Sequence, residues 1–207
     1  MLTGMFVNGG NYGLPLNFFA FGEAGLANAL IYFNTSTVLI YTVGVFIASS
    51  GRAIRTEALR GVLKVPALYA LAAAGISLSF DITIPTLIVH PISLLAEASI
   101  PVTLILLGMQ LGKAARPDRL TWIGLPTGLR LIAAPLIAFF LARAFQLTGP
   151  ARHAAIVEVS MPTAVITSIV ALEYDAEPVL VTGAVFATTL GSPIVLTPLI
   201  ALLQSGL

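Results

Sequence analysis

The sequence has no cysteine and only two histidines among its 207 residues. The absence of cysteine excludes disulfides, thiolate metal ligands and thiol nucleophiles. His90 and His153 fall near the ends of hydrophobic segments, so serine catalysis would lack a well-placed base and no cluster of metal ligands can form. We therefore expect no catalytic residues, no metal site, no cofactor and no enzymatic activity.

Charge is equally scarce, since charged residues make up 9% of the chain and apolar residues 57%. A soluble domain usually carries about a quarter charged residues, so the polar surface here is too small to cover a globule. The net charge of +1 favours no nucleic-acid partner. Long runs are apolar on every face and approach or exceed the roughly 20 residues that span a bilayer as a helix. The composition predicts an all-α integral membrane protein.

About seven hydrophobic segments follow one another, at residues 3–20, 25–50, 62–80, 84–112, 120–145, 152–173 and 179–204. Two connectors on the same side of the membrane carry seven of the ten basic residues: Arg52, Arg55, Arg60, Lys64, Lys113, Arg116 and Arg119. Under the positive-inside rule this side is the cytoplasm. The prediction is a protein of the inner or plasma membrane, with the N-terminus of this chain cytoplasmic and its C-terminus extracytoplasmic.

The two ends of the chain share one order of features. At each end a proline-containing motif interrupts a short segment, an acidic turn follows, and a long uncharged span comes next. The motifs are Asn11–Pro15 and Ser160–Thr163, and the acidic turns lie at Glu23 and at 173–177. Three segments separate the copies, so the copies run in opposite directions, as in transporters whose broken helices meet near the bilayer midplane.

Proline within a helix leaves backbone groups unpaired, which a membrane tolerates where the unwound backbone lines a cavity. Freed amides at a half-helix N-terminus then attract an anion. Asn8, Asn11, Gly13 and Pro15 are the predicted binding residues of the first segment. The alternative is a kinked packing helix, with Gly9 and Gly13 in a small-residue contact and the asparagines bonding across helices.

Three ionisable residues within segments are candidates for function, because burying charge in a membrane is costly. Arg130 lies near mid-depth, where it could bind a substrate carboxylate, pair with Glu158, or extend towards the interface. Glu158 precedes Pro162 by one helical turn, and Glu97 precedes Pro101. Either glutamate is a candidate for proton or ion coupling.

Several stretches together resemble the auxin efflux carrier family, which includes plant PIN-type transporters. Residues 160–165, 171–178 and 182–186 are similar to the end of the family's sequences. The opening looks like its fourth helix, with Asn8 seven residues before Pro15 and the motif Gly13-Leu-Pro15. Residues 128–135 are similar to its eighth helix.

The resemblance implies helices four to ten of a ten-helix fold of two inverted repeats, similar to bile-acid symporters and to NhaA, in which helices four and nine are broken and cross. Residues 1–50 would be the remainder of the first repeat, 51–64 a basic cytoplasmic connector, and 65–207 a complete second five-helix repeat. Substrates would be small organic anions, such as mono- or dicarboxylates or auxin-like acids, and a homodimer is plausible. The crossing would place Pro15 opposite Pro162, with Met161 and Thr163 beside the substrate.

Departures from the family pattern leave other hypotheses open. The chain looks truncated at its N-terminus, so it could be a non-transporting subunit or a gene fragment. Ile166 and Thr167 stand where many bacterial relatives carry an asparagine, which leaves the substrate undetermined. The short connector, in place of a long hydrophilic loop, suggests a prokaryotic member. An intramembrane enzyme is the remaining alternative, but Tyr174-Asp175 matches only half of an aspartyl protease site.

Overall fold

A computed structural model of the chain describes residues 2–40, 43, 66–113, 120–173 and 175–205. The regular structure in these ranges is helical apart from one isolated bridge between two unwound segments. In chain order the helices are α1 Leu2–Met5, π1 Gly9–Gly13, α2 Leu14–Leu39, α3 Pro66–Ser79, α4 Thr86–Lys113, α5 Leu120–Gly128, π2 Leu129–Ala133, α6 Ala134–Ala144, α7 Gly149–Val159, α8 Ile166–Glu173 and α9 Pro178–Gln204. The predicted basic connector 51–64 lies outside the described residues.

Three helical stretches in the described ranges are long and apolar enough to cross a membrane: Gly9–Leu39, Ile123–Ala144 and Pro178–Gln204. Thr86–Val102 is a shorter apolar helix. Large apolar side chains on these helices are exposed, for example Leu87 at 87% and Ile194 at 79%, as expected where lipid is the solvent. The structure confirms an all-α membrane protein, whereas the count of seven spanning helices and their division into inverted repeats stay predictions.

The chain turns sharply at Gly22, between the first two predicted segments. Gly22 has φ 66° and ψ −157°, a conformation that is essentially restricted to glycine. A Cβ atom on Gly25 would lie 2.8 Å from the carbonyl oxygen of Asn17. A straight helix would separate these residues by about 12 Å, so the second half of α2 folds back on the first.

Each π-helical turn is followed, after one intervening residue, by a proline. Gly9–Gly13 precedes Pro15, and Leu129–Ala133 precedes Pro135. Proline has no N–H group to donate and its ring displaces the preceding carbonyl, so a wider turn accommodates it without ending the helix. Pro15 therefore lies buried inside a continuous helical stretch.

The helices that carry these turns pack around α7. Helix α2 makes its most extensive contact with α7, which also packs on α6 and α9. An apolar cluster centred on Ile156, Met161 and Leu196 fills this region, and all three side chains are almost completely buried. This packing holds the ends of α1, π1, α7 and α8 close together.

Candidate functional site

Two unwound segments, residues 6–8 and 160–165, pair with each other through their backbones. Val7 and Thr163 form an isolated antiparallel bridge. The N–H of Asn8 donates to the carbonyl oxygen of Pro162 at 2.8 Å, and the N–H of Ala164 donates to that of Phe6 at 2.9 Å. These bonds satisfy backbone groups that would otherwise be unpaired in an apolar environment.

The pairing differs in position from the predicted crossing. The first interruption lies at residues 6–8, ahead of Pro15, whereas the second contains Pro162 as predicted. The glycines and asparagines at 8–13 and the π turn allow the helix to continue through Pro15. The interruption therefore lies before this proline and not at it. The structure therefore places Pro162, rather than Pro15, in an unwound segment.

Thr163 ties the second unwound segment to two other elements. Its hydroxyl donates to the carbonyl oxygen of Thr3 at 2.9 Å, and its N–H donates to the hydroxyl oxygen of Thr188 at 3.1 Å. Thr163 and Thr188 are fully buried. The hydroxyl predicted to bind substrate is thus engaged in joining α1 to the unwound segment.

Replacing Thr163 by valine is expected to lower the free energy of unfolding by about 1–2 kcal/mol, because the carbonyl of Thr3 would be left buried without a donor. Valine keeps the shape of threonine. Thermal unfolding in detergent micelles would measure the change, with Thr35→Val as the control because its hydroxyl bonds only to its own helix at an exposed position. Equal stability of the two variants would contradict this role for Thr163.

Arg130 binds carbonyl oxygens on both interrupted stretches. Its guanidinium donates to the carbonyl oxygens of Met161 at 2.8 Å, Gly4 at 3.0 Å and Val159 at 2.5 Å. Gly4 is in α1, while Val159 ends α7 and Met161 follows it. The last carbonyls of a helix lack donors within the helix and carry its negative dipole end. A buried cation there neutralises and joins the C-terminal ends of α1 and α7.

Glu158 lies against the glycine face of π1. Its side chain is fully buried, and its Oε1 accepts a hydrogen bond from Nδ2 of Asn17 at 3.0 Å. The same Nδ2 also donates to the carbonyl oxygen of Gly13 at 2.9 Å. Of the three arrangements expected for Arg130, pairing with Glu158 is not the one found, because the described bonds of Arg130 go to carbonyls and that of Glu158 goes to Asn17.

A cavity of about 330 Å³ opens beside the paired segments. The amino-terminal ends of the two helical stretches that follow these segments both line it. One end contributes Asn8, Gly10 and Asn11, the other contributes residues 164–166, and Phe33 and Thr37 of α2 close a further side. The Nδ2 atom of Asn8 is buried and has no hydrogen-bond partner among the described residues. Since two asparagines and the amino-terminal ends of two helical stretches line one space, the cavity suits an anion.

The ten predicted site residues therefore fall into different places. Asn8 and Asn11 line the cavity. Those engaged in the surrounding framework are Gly13, Pro15, Arg130, Glu158, Met161, Pro162 and Thr163. Glu97 is exposed on α4. Reasoning from sequence missed Asn17, although its position four residues after Gly13 places the two on one helix face.

Comparison with known proteins shows relatives that are transporters. The chain is 27% identical over 203 residues to an uncharacterized transporter of Methanocaldococcus jannaschii, which covers 95% of this chain and 65% of the relative. It is 26% identical over 186 residues to an uncharacterized transporter of Methanothermobacter thermautotrophicus, which covers 89% of this chain and 61% of the relative. The chain thus spans less than two thirds of the length of these relatives.

A plant protein is also similar. Auxin efflux carrier component 1 of Arabidopsis thaliana is 27% identical over 135 residues, or 62% of this chain and 21% of the plant protein. The model of a family described as membrane transport protein matches residues 49–200. This is a family of transporters rather than of enzymes. Because the match covers well over half of the chain, this chain belongs to the membrane transport protein family, together with auxin efflux carrier-type transporters.

Proposed function

We propose that the protein is a secondary transporter of small organic anions and that the cavity beside the paired segments is its substrate site. The observation that carries the proposal is that Asn8 lines the cavity while its Nδ2 is buried and has no acceptor among the described residues. A buried donor without a partner costs free energy, so an acceptor supplied by a ligand would stabilise it. A carboxylate is such an acceptor.

The arrangement of helix ends favours the same ligand. The stretches π1–α2 and α8 direct their amino-terminal ends to the cavity, whereas Arg130 holds the carboxyl-terminal ends of α1 and α7. The negative dipole ends are thus compensated by a cation of the protein, and the positive ends remain available to a substrate. A cavity of about 330 Å³ lies at the lower end of the range for small-molecule sites, consistent with a mono- or dicarboxylate.

Transport would proceed by alternating access, in which one group of helices moves against the paired segments and exposes the cavity to each side in turn. We place the basic connectors in the cytoplasm of a cell with this protein in its inner or plasma membrane, following the positive-inside rule. The inverted repeat and a homodimer belong to the same proposal. The competing hypothesis is a membrane subunit or fragment that does not transport.

Replacing Asn8 by alanine is expected to weaken substrate binding about tenfold or more, since a hydrogen bond to a charged group contributes about 1.5–3 kcal/mol. Reconstituted protein would be tested in liposomes for uptake of labelled mono- and dicarboxylates, and the substrate concentration giving half-maximal uptake would be compared. Asn28→Ala is the matched control, because Asn28 lies on α2, is only partly buried, and bonds to the carbonyl oxygen of Ala24 in its own helix.

The outcomes separate the hypotheses. Uptake that is weakened by Asn8→Ala and unchanged by Asn28→Ala supports the cavity as the substrate site. Uptake to which the two variants respond equally places the substrate elsewhere. No uptake of any organic acid by the unaltered protein would favour the non-transporting subunit.

A further inference from the structure

Glu158 has an unusual environment for a carboxyl group. Its side chain has no exposed surface, and its carboxyl oxygens lie against the backbone of π1. A Cβ atom on Gly9 would lie 2.5 Å from Oε2, and one on Gly13 would lie 2.6 Å from the same atom. Only hydrogen atoms of glycine leave room for the carboxyl group here, so its position is closely determined.

Two polar atoms of this contact have no hydrogen-bond partner within the described part of the chain. They are Oε2 of Glu158 and Oδ1 of Asn17, and both are buried. Both are acceptors when Glu158 is ionised, so neither can satisfy the other. The two side chains are already joined by the bond from Nδ2 of Asn17 to Oε1 of Glu158. A single proton on Oε2 would supply the missing donor to both atoms.

We propose that Glu158 is a proton-binding site and that its proton is the coupling ion of the transport cycle. In the bound state the proton is on Oε2, and this O–H group donates a hydrogen bond to Oδ1 of Asn17. Nδ2 of Asn17 donates a second hydrogen bond to Oε1, so the two side chains form a closed acid–amide ring. Loading forms the O–H bond with a proton taken from water, and release returns that proton to water. The inference rests on the proposed transport function and names its coupling ion.

Among the described residues, the side-chain hydrogen bond found for Glu158 comes from Asn17 and not from a cation. Among the described residues, the ionisable groups on the elements around α7 are Tyr12, Glu23, Tyr32, His90, Glu97, Arg130 and Arg143, while α9 has none. On α7 itself, Arg152 and His153 precede Glu158 by about one and a half turns. Arg143 and Arg152 line a separate cavity with Phe139.

The guanidinium of Arg130 is bound to three carbonyls, one of which belongs to Val159, the residue after Glu158. Tyr32 lies within electrostatic range of both Arg130 and Glu158. A buried carboxylate without a paired cation is costly, whereas a neutral acid in a closed ring is not. Glu97, the other candidate for coupling, is exposed on α4 and has no comparable enclosure.

Infrared difference spectroscopy on the reconstituted protein tests the protonated state directly. A neutral carboxyl group has a C=O stretching band distinct from that of a carboxylate, and this band shifts in D₂O. We expect such a band at pH 7 in the unaltered protein and in Glu97→Gln, and we expect its loss in Glu158→Gln. Asn17→Leu, which keeps Glu158 and removes its ring partner, should move the band. A spectrum without a Glu158-dependent band at pH 7, or a band abolished by adding Na⁺, overturns the inference.

Transport supplies the second test. Glutamine at 158 keeps the shape of the acid and can still bond to Asn17, but it cannot release a proton. Imposing a pH gradient should change initial uptake several-fold in the unaltered protein and leave it unchanged in Glu158→Gln, whereas exchange of labelled for unlabelled anion should continue in both. If uptake by the unaltered protein does not depend on the pH gradient, proton coupling is refuted, but the proposed transport function is not. Absence of all uptake refutes the proposed function instead.

Discussion

Replacing Arg130 by methionine is expected to lower the free energy of unfolding by about 3–5 kcal/mol, because one buried and two partly buried carbonyl oxygens would lose their donor together. In an apolar surrounding each unsatisfied backbone group costs more than it would at a surface exposed to water. The variant would also remove the positive charge that compensates two helix ends. The effect should appear as loss of structure and not only as loss of substrate affinity.

Thermal or denaturant unfolding in a fixed detergent would measure this change. Arg143→Met is the matched control, because Arg143 lies on the neighbouring helix α6 and is exposed. Arg130→Lys should recover only part of the stability, since an ammonium group lacks the planar fork that reaches three acceptors at once. An Arg130→Met protein as stable as Arg143→Met but unable to bind an organic anion would instead assign Arg130 to the substrate.

Replacing Gly13 by alanine is expected to destabilise the protein by about 1–3 kcal/mol, although alanine is the better helix former by up to about 1 kcal/mol. The new methyl group would overlap the carboxyl group of Glu158, whose Cδ would lie 2.7 Å away. Glu158 is buried and bonded to Asn17, so it cannot move without breaking that contact. The packing conflict therefore outweighs the gain in helix propensity.

Gly128 provides the comparison for this variant. It has helical backbone angles, and a Cβ atom there would meet nothing within 4 Å among the described residues. Gly128→Ala should be neutral or slightly stabilising in the same unfolding assay. If Gly13→Ala were equally stable, the close approach of Glu158 to π1 would be refuted.

The sequence alone predicts the class of the molecule and the regions that matter. Scarcity of charge and long apolar runs require a lipid surrounding, and this inference needs no tertiary information. The proline, glycine and asparagine motifs near residues 8–15 and 160–163 indicate interrupted helices, because their backbone requirements are local. In the structure the two unwound segments pair through Val7 and Thr163, and that they belong to one binding site stays a prediction.

Partners across the chain could not be predicted in the same way. Arg130 and Glu158 looked equally suited to pairing with each other, to a substrate or to structure, since sequence spacing does not show what lies opposite a side chain. The tertiary structure directs Arg130 to three carbonyls and Glu158 to Asn17. It also moves the first interruption ahead of Pro15, because a π turn can absorb a proline that would otherwise break the helix.

The amino-acid sequence by itself thus determined that this is a helical membrane protein with two interrupted segments, since hydropathy and proline chemistry act locally along the chain. Only the tertiary structure decided which polar groups satisfy one another and which remain available. That choice depends on contacts between residues more than a hundred positions apart, such as Asn17 with Glu158 and Arg130 with Gly4. Among the described residues, the side-chain amide nitrogen of Asn8 has no hydrogen-bond partner, and the proposed substrate site depends on this feature.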